Sequence, residues 1–317
     1  MLPVFSYGEV LIDFIPTIHE SYTPFVGGAP ANVAAAIAKL GGNSHFIGGI
    51  SEDRFGIKIR EQFDSLKIQY TTDLISPNKT AMVLVTLDDE GERSFQFYRD
   101  QTADLTVTPE QLAAVNWTPI GIFHFCSNTL IDNISNEATL FALEQAKQKK
   151  AVISFDVNLR LNLWPASAKT SILERILNVA SLCDLIKFSD EELAYLCVSA
   201  DMTQGAMLNM LYESGVKLIL VTAGAEEIHI VSPEFSTKVT PPSVTAIDTT
   251  AGGDSFIGGF LYQLAANDHA SVLSALNNKQ ALTSYVQFAA KCGAFTVTNK
   301  GAIEAMPNLN DLTKKFQ

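Results

Sequence analysis

Segments with strand-like and helix-like hydrophobic spacing alternate along most of the chain. From residue 120 onward the alternation is regular, with strands predicted at 121–126, 151–156 and 185–188 and helices predicted at 137–149 and 168–180. Strands that alternate with helices in this way are typical of βαβ units and of a mostly parallel sheet. The pattern therefore predicts an α/β protein whose central sheet is covered by helices.

The first hundred residues depart from this alternation. An apolar run over 4–14, interrupted by Gly8, predicts a first strand of the central sheet that carries Asp13 near its carboxyl end. A helix of strong helix formers follows and stops at Gly41. Residues 81–87 and 94–98 flank the polar turn 88–91 and predict a β-hairpin. With residues 15–26, this hairpin is expected to form a small additional sheet.

A run of small residues at 251–253 joins two segments of different pattern. The β-branched residues at 243–247 predict a strand, and the apolar spacing from Phe256 to Leu264 predicts a helix. The first turn of a helix has unpaired N–H groups, and the positive end of its dipole favours an anion. Asp254 would repel a bound phosphate unless it accepts a proton from the attacking group. Capping the helix is the other role open to this side chain.

Composition limits the classes of function. The 317 residues are 47% hydrophobic and 18% charged, which is ordinary for a globular protein. A net charge of −12 argues against nucleic acid and anionic membrane as partners. The four cysteines lack CxxC spacing and are predicted to be buried free thiols. Without a basic leader or an apolar run long enough to cross a bilayer, we expect a cytoplasmic protein. The chain shows no internal repeat or linker, and a single domain over 1–317 is expected.

Three stretches resemble one family. Residues 248–254, Asp-Thr-Thr-Ala-Gly-Gly-Asp, resemble the Asp-Thr-Thr-Gly-Ala-Gly-Asp signature of the phosphofructokinase-B family, also called the ribokinase-like sugar kinases. Residues 27–32, Gly-Gly-Ala-Pro-Ala-Asn, match its first signature in the fructokinase-like branch, and residues 155–160 are similar to the Phe-Asp-Pro-Asn-Leu-Arg of that branch, with Val157 in place of proline. Ala251 stands where the family usually has glycine, and an alanine suits this position only if its φ is negative.

The resemblance implies a ribokinase-like three-layer sandwich with a β lid formed by about 15–26 and 81–99. It also implies an ATP-dependent sugar kinase that uses Mg²⁺, with K⁺ as a candidate monovalent ion. Asp254 is the implied catalytic base, Ala251, Gly252 and Gly253 belong to the anion hole, and Arg160 offsets the developing charge. The implied sugar-binding residues are Asp13, Gly27, Gly28 and Asn32, joined by Phe97 or Arg99 from the lid. Nucleotide binding is expected at Lys187, Ser189, Thr222, Gly224 and Gly253, and the monovalent cation at Asp248 and Thr250.

Several alternatives remain open. The branch resemblance favours phosphorylation of fructose to fructose 6-phosphate, whereas a ribokinase, a 2-keto-3-deoxygluconate kinase or a nucleoside-type kinase would keep the same fold. A non-catalytic sugar-binding regulator is a further alternative, but the presence of Asp254 argues against it. A dinucleotide-dependent dehydrogenase would require Gly-x-Gly-x-x-Gly after the first strand, and the sequence lacks it there. The expected partners are the sugar and ATP, and a homodimer is predicted.

Overall fold

The computed structural model describes residues 1–16, 21–87 and 93–316. Residues 17–20 of the predicted lid segment and the polar turn at 88–91 lie outside the described residues. The strands are β1 Val4–Tyr7, β2 Leu11–Pro16, β3 Tyr22–Gly27, β4 Ser44–Ile47, β5 Ile50–Ser51, β6 Gln69–Tyr70, β7 Ile75–Ser76, β8 Ala81–Leu87, β9 Arg93–Tyr98, β10 Ile122–Cys126, β11 Val152–Asp156, β12 Leu185–Ser189, β13 Leu218–Thr222, β14 Ile228–Val231 and β15 Ser236–Val239.

The α-helices occur along the whole described chain and are most frequent after residue 120. They are α1 Ala29–Lys39, α2 Arg54–Leu66, α3 Pro109–Ala113, α4 Asn133–Gln148, α5 Ile172–Ala180, α6 Asp190–Ser199, α7 Gln204–Glu213, α8 Gly252–Leu264, α9 Val272–Ala275, α10 Lys279–Thr296 and α11 Leu309–Lys315. The regular alternation predicted after residue 120 is confirmed, with strand and helix ends shifted by a few residues.

A nine-stranded sheet forms the middle layer, in the order β15-β14-β13-β12-β11-β10-β1-β4-β6. Neighbouring strands from β6 to β13 are parallel, and β14 and β15 are added antiparallel at one edge. Alternate residues of each strand point to opposite faces. Phe123 and Phe155 therefore pack on the side of α4 to α7, whereas Ile122 and Val152 pack on the side of α1, α8 and α10. The predicted α/β three-layer architecture with a mostly parallel sheet is confirmed.

A second sheet of four strands, in the order β3-β2-β8-β9, contains the predicted hairpin. The prediction of one strand over 4–14 is wrong, because β1 ends at Tyr7 and β2 starts at Leu11 in this second sheet. Gly8 makes the break with a φ of 143°, and a Cβ there would lie 2.7 Å from the ring of Pro30. Asp13 consequently belongs to the second sheet.

The segment before α8 is also not what the sequence predicts. Residues 243–247, all within the described part of the chain, form no strand despite their β-branched side chains. The segment is fixed instead where the backbone N–H groups of Ile247 and Asp248 both donate to the carbonyl of Val297. The loop before α8 is therefore attached to the end of α10 rather than to the sheet.

Two predictions from composition can be compared with the structure. The cysteines are free and buried, as expected. Among the residues that the structure describes, none of the helices has the length and apolar character needed to cross a membrane.

Candidate active site

A cavity of about 680 Å³ opens at the carboxyl ends of β1, β10 and β11. The second sheet forms one wall of the cavity, and the first turns of α1 and α8 form another. Its lining residues are Glu9, Leu11, Asp13, Gly28, Ala29, Asn32, Val83, Phe97, Arg99, Asn128, Asn158, Arg160, Asn162, Leu163, Ala246, Ile247, Asp248, Thr249, Thr250, Ala251 and Asp254. Ligands of open α/β sheets bind at this edge, so the position itself favours a ligand site.

The first turn of α8 begins at Ala251, which is the N-cap. The φ of Ala251 is +57°, in the left-handed region, so the expectation that alanine would require a negative φ here is wrong. Gly252 N–H donates to the carbonyl of Thr249 at 3.3 Å. The N–H groups of Gly253 and Asp254 belong to the first turn, where no preceding helical carbonyl is available. These two amides can therefore serve an anion.

Asp254 lies at this turn and is held by α1. The Nδ2 atom of Asn32 donates to Oδ2 of Asp254 at 2.8 Å, across 222 residues of sequence. Burial raises the pKa of Asp254, while the Asn32 bond and the charges of Arg160 and Lys187 lower it. Burial prevails, and a carboxylate with a raised pKa is a stronger proton acceptor than an ordinary one.

Asp13 reaches the same cavity from β2. Burial raises its pKa to about 7, with further contributions from Asp254, Asp248 and Glu304. Gly27 pairs with Leu11, two residues before Asp13 on β2, and a Cβ on Gly27 would lie 2.2 Å from Oδ2 of Asp13. The absence of a side chain at 27 is therefore what leaves room for the carboxylate.

Gly28 has a different reason to be glycine. Its φ is 102°, and a Cβ would lie 2.7 Å from the carbonyl oxygen of Glu9. This backbone conformation favours glycine, and it directs the chain into α1, where Asn32 is buried with 4% of its surface exposed. Gly27 thus leaves room for Asp13, and Gly28 sets the start of the helix that carries Asn32; both are predicted sugar-binding residues.

Lys187 lies beside the first turn of α8. Its Nζ is 3.0 Å from Oδ1 of Asp156 on the neighbouring strand, and both side chains are buried. Burial lowers the pKa of Lys187, but the charges of Asp156, Glu192 and Asp254 and the hydrogen bond to Asp156 together outweigh burial, so the pKa lies above its usual value. A Cβ placed on Gly253 would lie 3.6 Å from Nζ. The ammonium and the free amides of α8 therefore face one small space.

The other predicted nucleotide residues lie further along the same edge of the sheet. Ser189 ends β12 and caps α6 in the predicted capping box with Glu192, and Thr222 is its partner on β13. The hydroxyl of Thr222 donates to the carbonyl of Phe188 at 3.3 Å, and Gly224 has a φ of 56°. Within the described part of the chain, the cavity is not lined by these residues.

Asp248 and Thr250 belong to the loop before α8. Asp248 is buried, and its carboxylate accepts the N–H of Thr250 at 2.9 Å and the N–H of Gly301 at 3.1 Å. The carboxylate thus joins this loop to the loop after α10. No cluster of three or more metal-ligating acids, histidines or cysteines occurs over 1–16, 21–87 and 93–316.

The remaining predicted residues line the cavity from two directions. Phe97 and Arg99 come from the end of β9, and exposed Arg160 comes from the loop after β11. The Nε atom of Arg99 lies 2.6 Å from Oδ2 of Asp104, in a buried ion pair. Arg99 also donates from Nη2 to the carbonyl of Asn128 at 3.3 Å.

Glu9 and Asn128 were not predicted as site residues. Glu9 is 2% exposed and Asn128 is 5% exposed, and Nδ2 of Asn128 donates to Oε1 of Glu9 at 2.9 Å. Burial raises the pKa of Glu9, and the charge of Arg99 opposes that rise. One signal was available: each residue is the second one after a buried strand, at the edge where ligands bind.

Three kinds of comparison agree with this geometry. The family model described as "pfkB family carbohydrate kinase" matches residues 1–309. "Probable fructokinase-6, chloroplastic" from Arabidopsis thaliana is 38% identical over 312 residues, which cover 96% of this chain and 79% of the relative.

Solved structures are similar over nearly the whole chain. A fructokinase with bound ATP from Xylella fastidiosa has a TM-score of 0.90 at 34% identity, and the match covers 98% of this chain and 97% of that one. A double mutant of a fructokinase from Vibrio cholerae O395, in a form with bound fructose, ADP and potassium ion, has a TM-score of 0.88 at 31% identity. That match covers 100% of this chain and 99% of the other.

Proposed function

This chain belongs to the pfkB family of carbohydrate kinases, and on that premise we propose that it transfers the γ-phosphoryl group of ATP to fructose. The membership predicted from the signatures is confirmed, and so is an ATP-dependent sugar kinase activity. The fructokinases among its relatives, together with the fructose-bound and ATP-bound structural neighbours, support fructose and ATP as the substrates. The primary hydroxyl at carbon 6 is the proposed acceptor.

One observation carries the proposed chemistry: the carboxylate of Asp254 lies at the first turn of α8 and at the wall of the cavity. Asn32 fixes its orientation through the 2.8 Å bond. Because burial raises the pKa of Asp254, it is suited to accept the proton of the attacking hydroxyl. The sugar oxygen then attacks the γ-phosphorus while the proton moves to Asp254, and the bond between the γ-phosphorus and the bridging oxygen breaks to release ADP.

The same turn offers groups that stabilise negative charge. The N–H groups of Gly253 and Asp254 and the ammonium of Lys187 are the proposed partners of the transferred phosphoryl group. Arg160, whose charge already lowers the pKa of Asp254, is proposed to add a second cation from the opposite loop. Asp13 and Asn32 are proposed to bind sugar hydroxyls, with Gly27 and Gly28 leaving room for them.

The nucleotide is proposed to extend from this turn toward Ser189, Thr222 and Gly224. Mg²⁺ is proposed to arrive with ATP, where it neutralises phosphate charge. The described residues contain no cluster of three or more acids, histidines or cysteines that could hold a metal ion, and this fits an ion that commonly keeps waters and takes substrate phosphates as ligands. We also propose K⁺ at the loop joined by Asp248, near Thr250, in keeping with the potassium ion in one structural neighbour.

Three broader expectations remain proposals. We propose that residues 1–317 form one kinase domain in which the second sheet is a lid, because that sheet carries Asp13, Phe97 and Arg99 into the cavity. A homodimer without nucleic-acid or membrane partners is also proposed. A cytoplasmic location is our last expectation, although the name of one relative places that relative in the chloroplast.

The test is a sugar panel read out by ADP release. Fructose should exceed ribose, glucose and 2-keto-3-deoxygluconate in kcat/KM by at least about tenfold, equivalent to about 1.4 kcal/mol. Phosphorus NMR of the product should place the phosphate on carbon 6. If another sugar has the highest kcat/KM, the assignment as a sugar kinase still holds, but the assignment of fructose as the substrate is wrong.

The base is tested by Asp254→Asn, which keeps the shape and the bond to Asn32 but cannot accept the proton. The kcat should fall by about 10²- to 10⁴-fold while ATP still binds. Asp201→Asn is the matched control, because Asp201 is exposed and far from the cavity lining, and asparagine tolerates its φ of 51°. Near-normal turnover of Asp254→Asn would contradict the proposed mechanism.

A further inference from the structure

Two buried asparagine amides line the cavity in the same manner. Asn32 donates from Nδ2 to the carboxylate of Asp254 at 2.8 Å, and Asn128 donates from Nδ2 to the carboxylate of Glu9 at 2.9 Å. Both residues are nearly fully buried, with 4% and 5% of their surfaces exposed. Only the first of them lies in a recognisable signature.

The carboxylates determine which way each amide faces. In both pairs Nδ2 of the asparagine donates to a carboxylate oxygen, so the NH₂ group is the part of the amide that faces the carboxylate. The carbonyl oxygen Oδ1 then points away from the carboxylate. Over the ranges that the structure describes, Oδ1 of Asn32 and Oδ1 of Asn128 are both buried without a hydrogen-bond partner.

Unpaired buried acceptors are uncommon in native proteins, and each one calls for an explanation. Thr129, the next residue on the same turn, shows the ordinary outcome. It is buried, with 4% of its surface exposed, and its hydroxyl donates to the carbonyl of Cys126 at 3.0 Å. On this turn the hydroxyl of Thr129 therefore has a protein partner, whereas Oδ1 of Asn128, the residue that lines the cavity, has none.

We propose that Asn128 is a sugar-binding residue whose Oδ1 accepts a hydrogen bond from a sugar hydroxyl, and that Glu9 is the positioning residue that holds its amide in that orientation. This inference rests on the proposed sugar kinase function and adds a specificity determinant to it. Asn32 serves the end of the sugar nearest the base, because its amide is bonded to Asp254. Asn128 serves a different hydroxyl, because it is held by a different carboxylate on the turn after β10.

The surroundings of Glu9 fit its proposed role as the residue that positions the amide of Asn128. It is buried two residues after β1 and lines the cavity together with Arg99; burial raises the pKa of Glu9, and the charge of Arg99 opposes that rise. Arg99 is itself bonded to the backbone carbonyl of Asn128 at 3.3 Å. The side chain and the backbone of Asn128 are thus both held, which limits the entropy lost when a hydroxyl binds.

The consequence is a preference for sugars that carry a hydroxyl at this point. A sugar without it leaves Oδ1 buried and unpaired, and sites built to hydrogen-bond a hydroxyl discriminate strongly against analogues that lack it. Because Asn128 lies away from Asp254 in the bonding network, its contribution should be to binding rather than to the proton transfer.

The test measures sugar binding directly, by titration calorimetry of the full chain with fructose in the absence of nucleotide. Asn128→Ala should raise the Kd for fructose about tenfold and raise the KM for fructose similarly. Its kcat and its KM for ATP should change less than about twofold. Thr129→Val is the matched control, because it removes a buried hydroxyl of the same turn whose partner is the protein, and its Kd for fructose should equal that of the wild type.

Glu9 is tested by a pair of variants. Glu9→Ala should weaken fructose binding about as much as Asn128→Ala, because the amide loses the group that orients it. Glu9→Gln keeps an acceptor for Nδ2 of Asn128 and should recover most of the lost affinity. If Glu9→Gln binds fructose as poorly as Glu9→Ala, the positioning role is wrong.

Monodeoxy fructoses identify the hydroxyl through a double-mutant cycle. One of them should bind the wild type about tenfold more weakly than fructose does and bind Asn128→Ala no more weakly than fructose does. If no sugar of the panel binds the wild type, this inference and the proposed function fail together. If fructose binds the wild type and Asn128→Ala equally well, only the inference fails. Should far-UV circular dichroism show Asn128→Ala unfolded, Asn128→Ser, which keeps a polar group in the wall, undergoes the same titration.

Discussion

Gly253→Ala should make the protein more stable and a poorer kinase at the same time. Gly253 is the second residue of α8, and the single described atom near a Cβ added there is Nζ of Lys187, at 3.6 Å. That separation is an ordinary van der Waals contact, so the methyl group fits and the fold is expected to survive. The substitution therefore tests the anion site without disturbing its surroundings.

The gain in stability comes from the backbone. Replacing glycine by alanine within a helix restricts the unfolded chain and stabilises by about 0.5–1 kcal/mol. For a chain of this size the change corresponds to a rise in Tm of about 1–3 °C.

The loss of activity comes from the space that the methyl group occupies. A phosphate oxygen bound to both the Gly253 N–H and Lys187 must lie about 2.9 Å from each nitrogen. The Cβ of alanine is bonded to the Cα beside the one nitrogen and would lie 3.6 Å from the other, so we expect it to crowd that space. Losing one donor of an anion hole costs about 10²- to 10³-fold in kcat. We expect a partial block, with kcat/KM for ATP lower by about 10- to 100-fold.

Thermal unfolding by circular dichroism and steady-state ADP release measure the two effects. Gly205→Ala is a closely matched control, because Gly205 is likewise the second residue of its helix, α7, and a Cβ there meets open space. It should give a similar rise in Tm and unchanged kinetics. If Gly253→Ala has the kinetics of Gly205→Ala, the phosphate does not bind at this turn and the assignment of the anion hole is refuted.

Two further predictions concern buried carboxylates. Because burial, above all, raises the pKa of Asp13 to about 7, kcat/KM for fructose should fall toward tenfold per pH unit below about 7 if the carboxylate accepts sugar hydroxyls. The folded protein keeps this proton at pH values where the unfolded chain has released it, so stability should decline as pH rises from about 4 to about 7. Asp13→Asn should flatten both profiles, and unchanged profiles would contradict the assignment. Asp156→Asn leaves the buried ammonium of Lys187 unpaired and should cost about 3–5 kcal/mol in urea unfolding. The double change Asp156→Leu with Lys187→Met should recover most of that loss, and a double variant as unstable as the single one would argue against an ion pair.

The regular half of the fold was predictable because its hydrophobic spacing has one cause. Each strand from β10 to β13 is buried on both faces, and each helix packs one face on the sheet, so burial and periodicity agree. The N-terminal part was not predictable in this way. β1 and β2 have similar apolar patterns but belong to different sheets, and hydropathy alone does not distinguish two sheets from one.

The prediction of a strand over 243–247 was wrong for a related reason. β-branched residues fit a strand only where a neighbouring strand is available to pair with them, and here the backbone is bonded to the end of α10 instead. Asn128 was missed because its importance depends on Glu9, which is 119 residues away in the chain. Asp254 and Asn32 are further apart in sequence, yet the sequence predicts both as site residues, because each belongs to a signature.

The left-handed conformation of Ala251 has an evolutionary consequence. Alanine at φ +57° carries backbone strain of about 1 kcal/mol relative to glycine. Its methyl group packs against the apolar cluster of α1 and β2, which contributes about 0.8 kcal/mol for one buried carbon. The two effects nearly cancel, so alanine and glycine are close to equivalent for selection at this position. The codons of these two residues differ by a single nucleotide, and lineages can therefore drift between them while the shape of the loop before α8 stays the same.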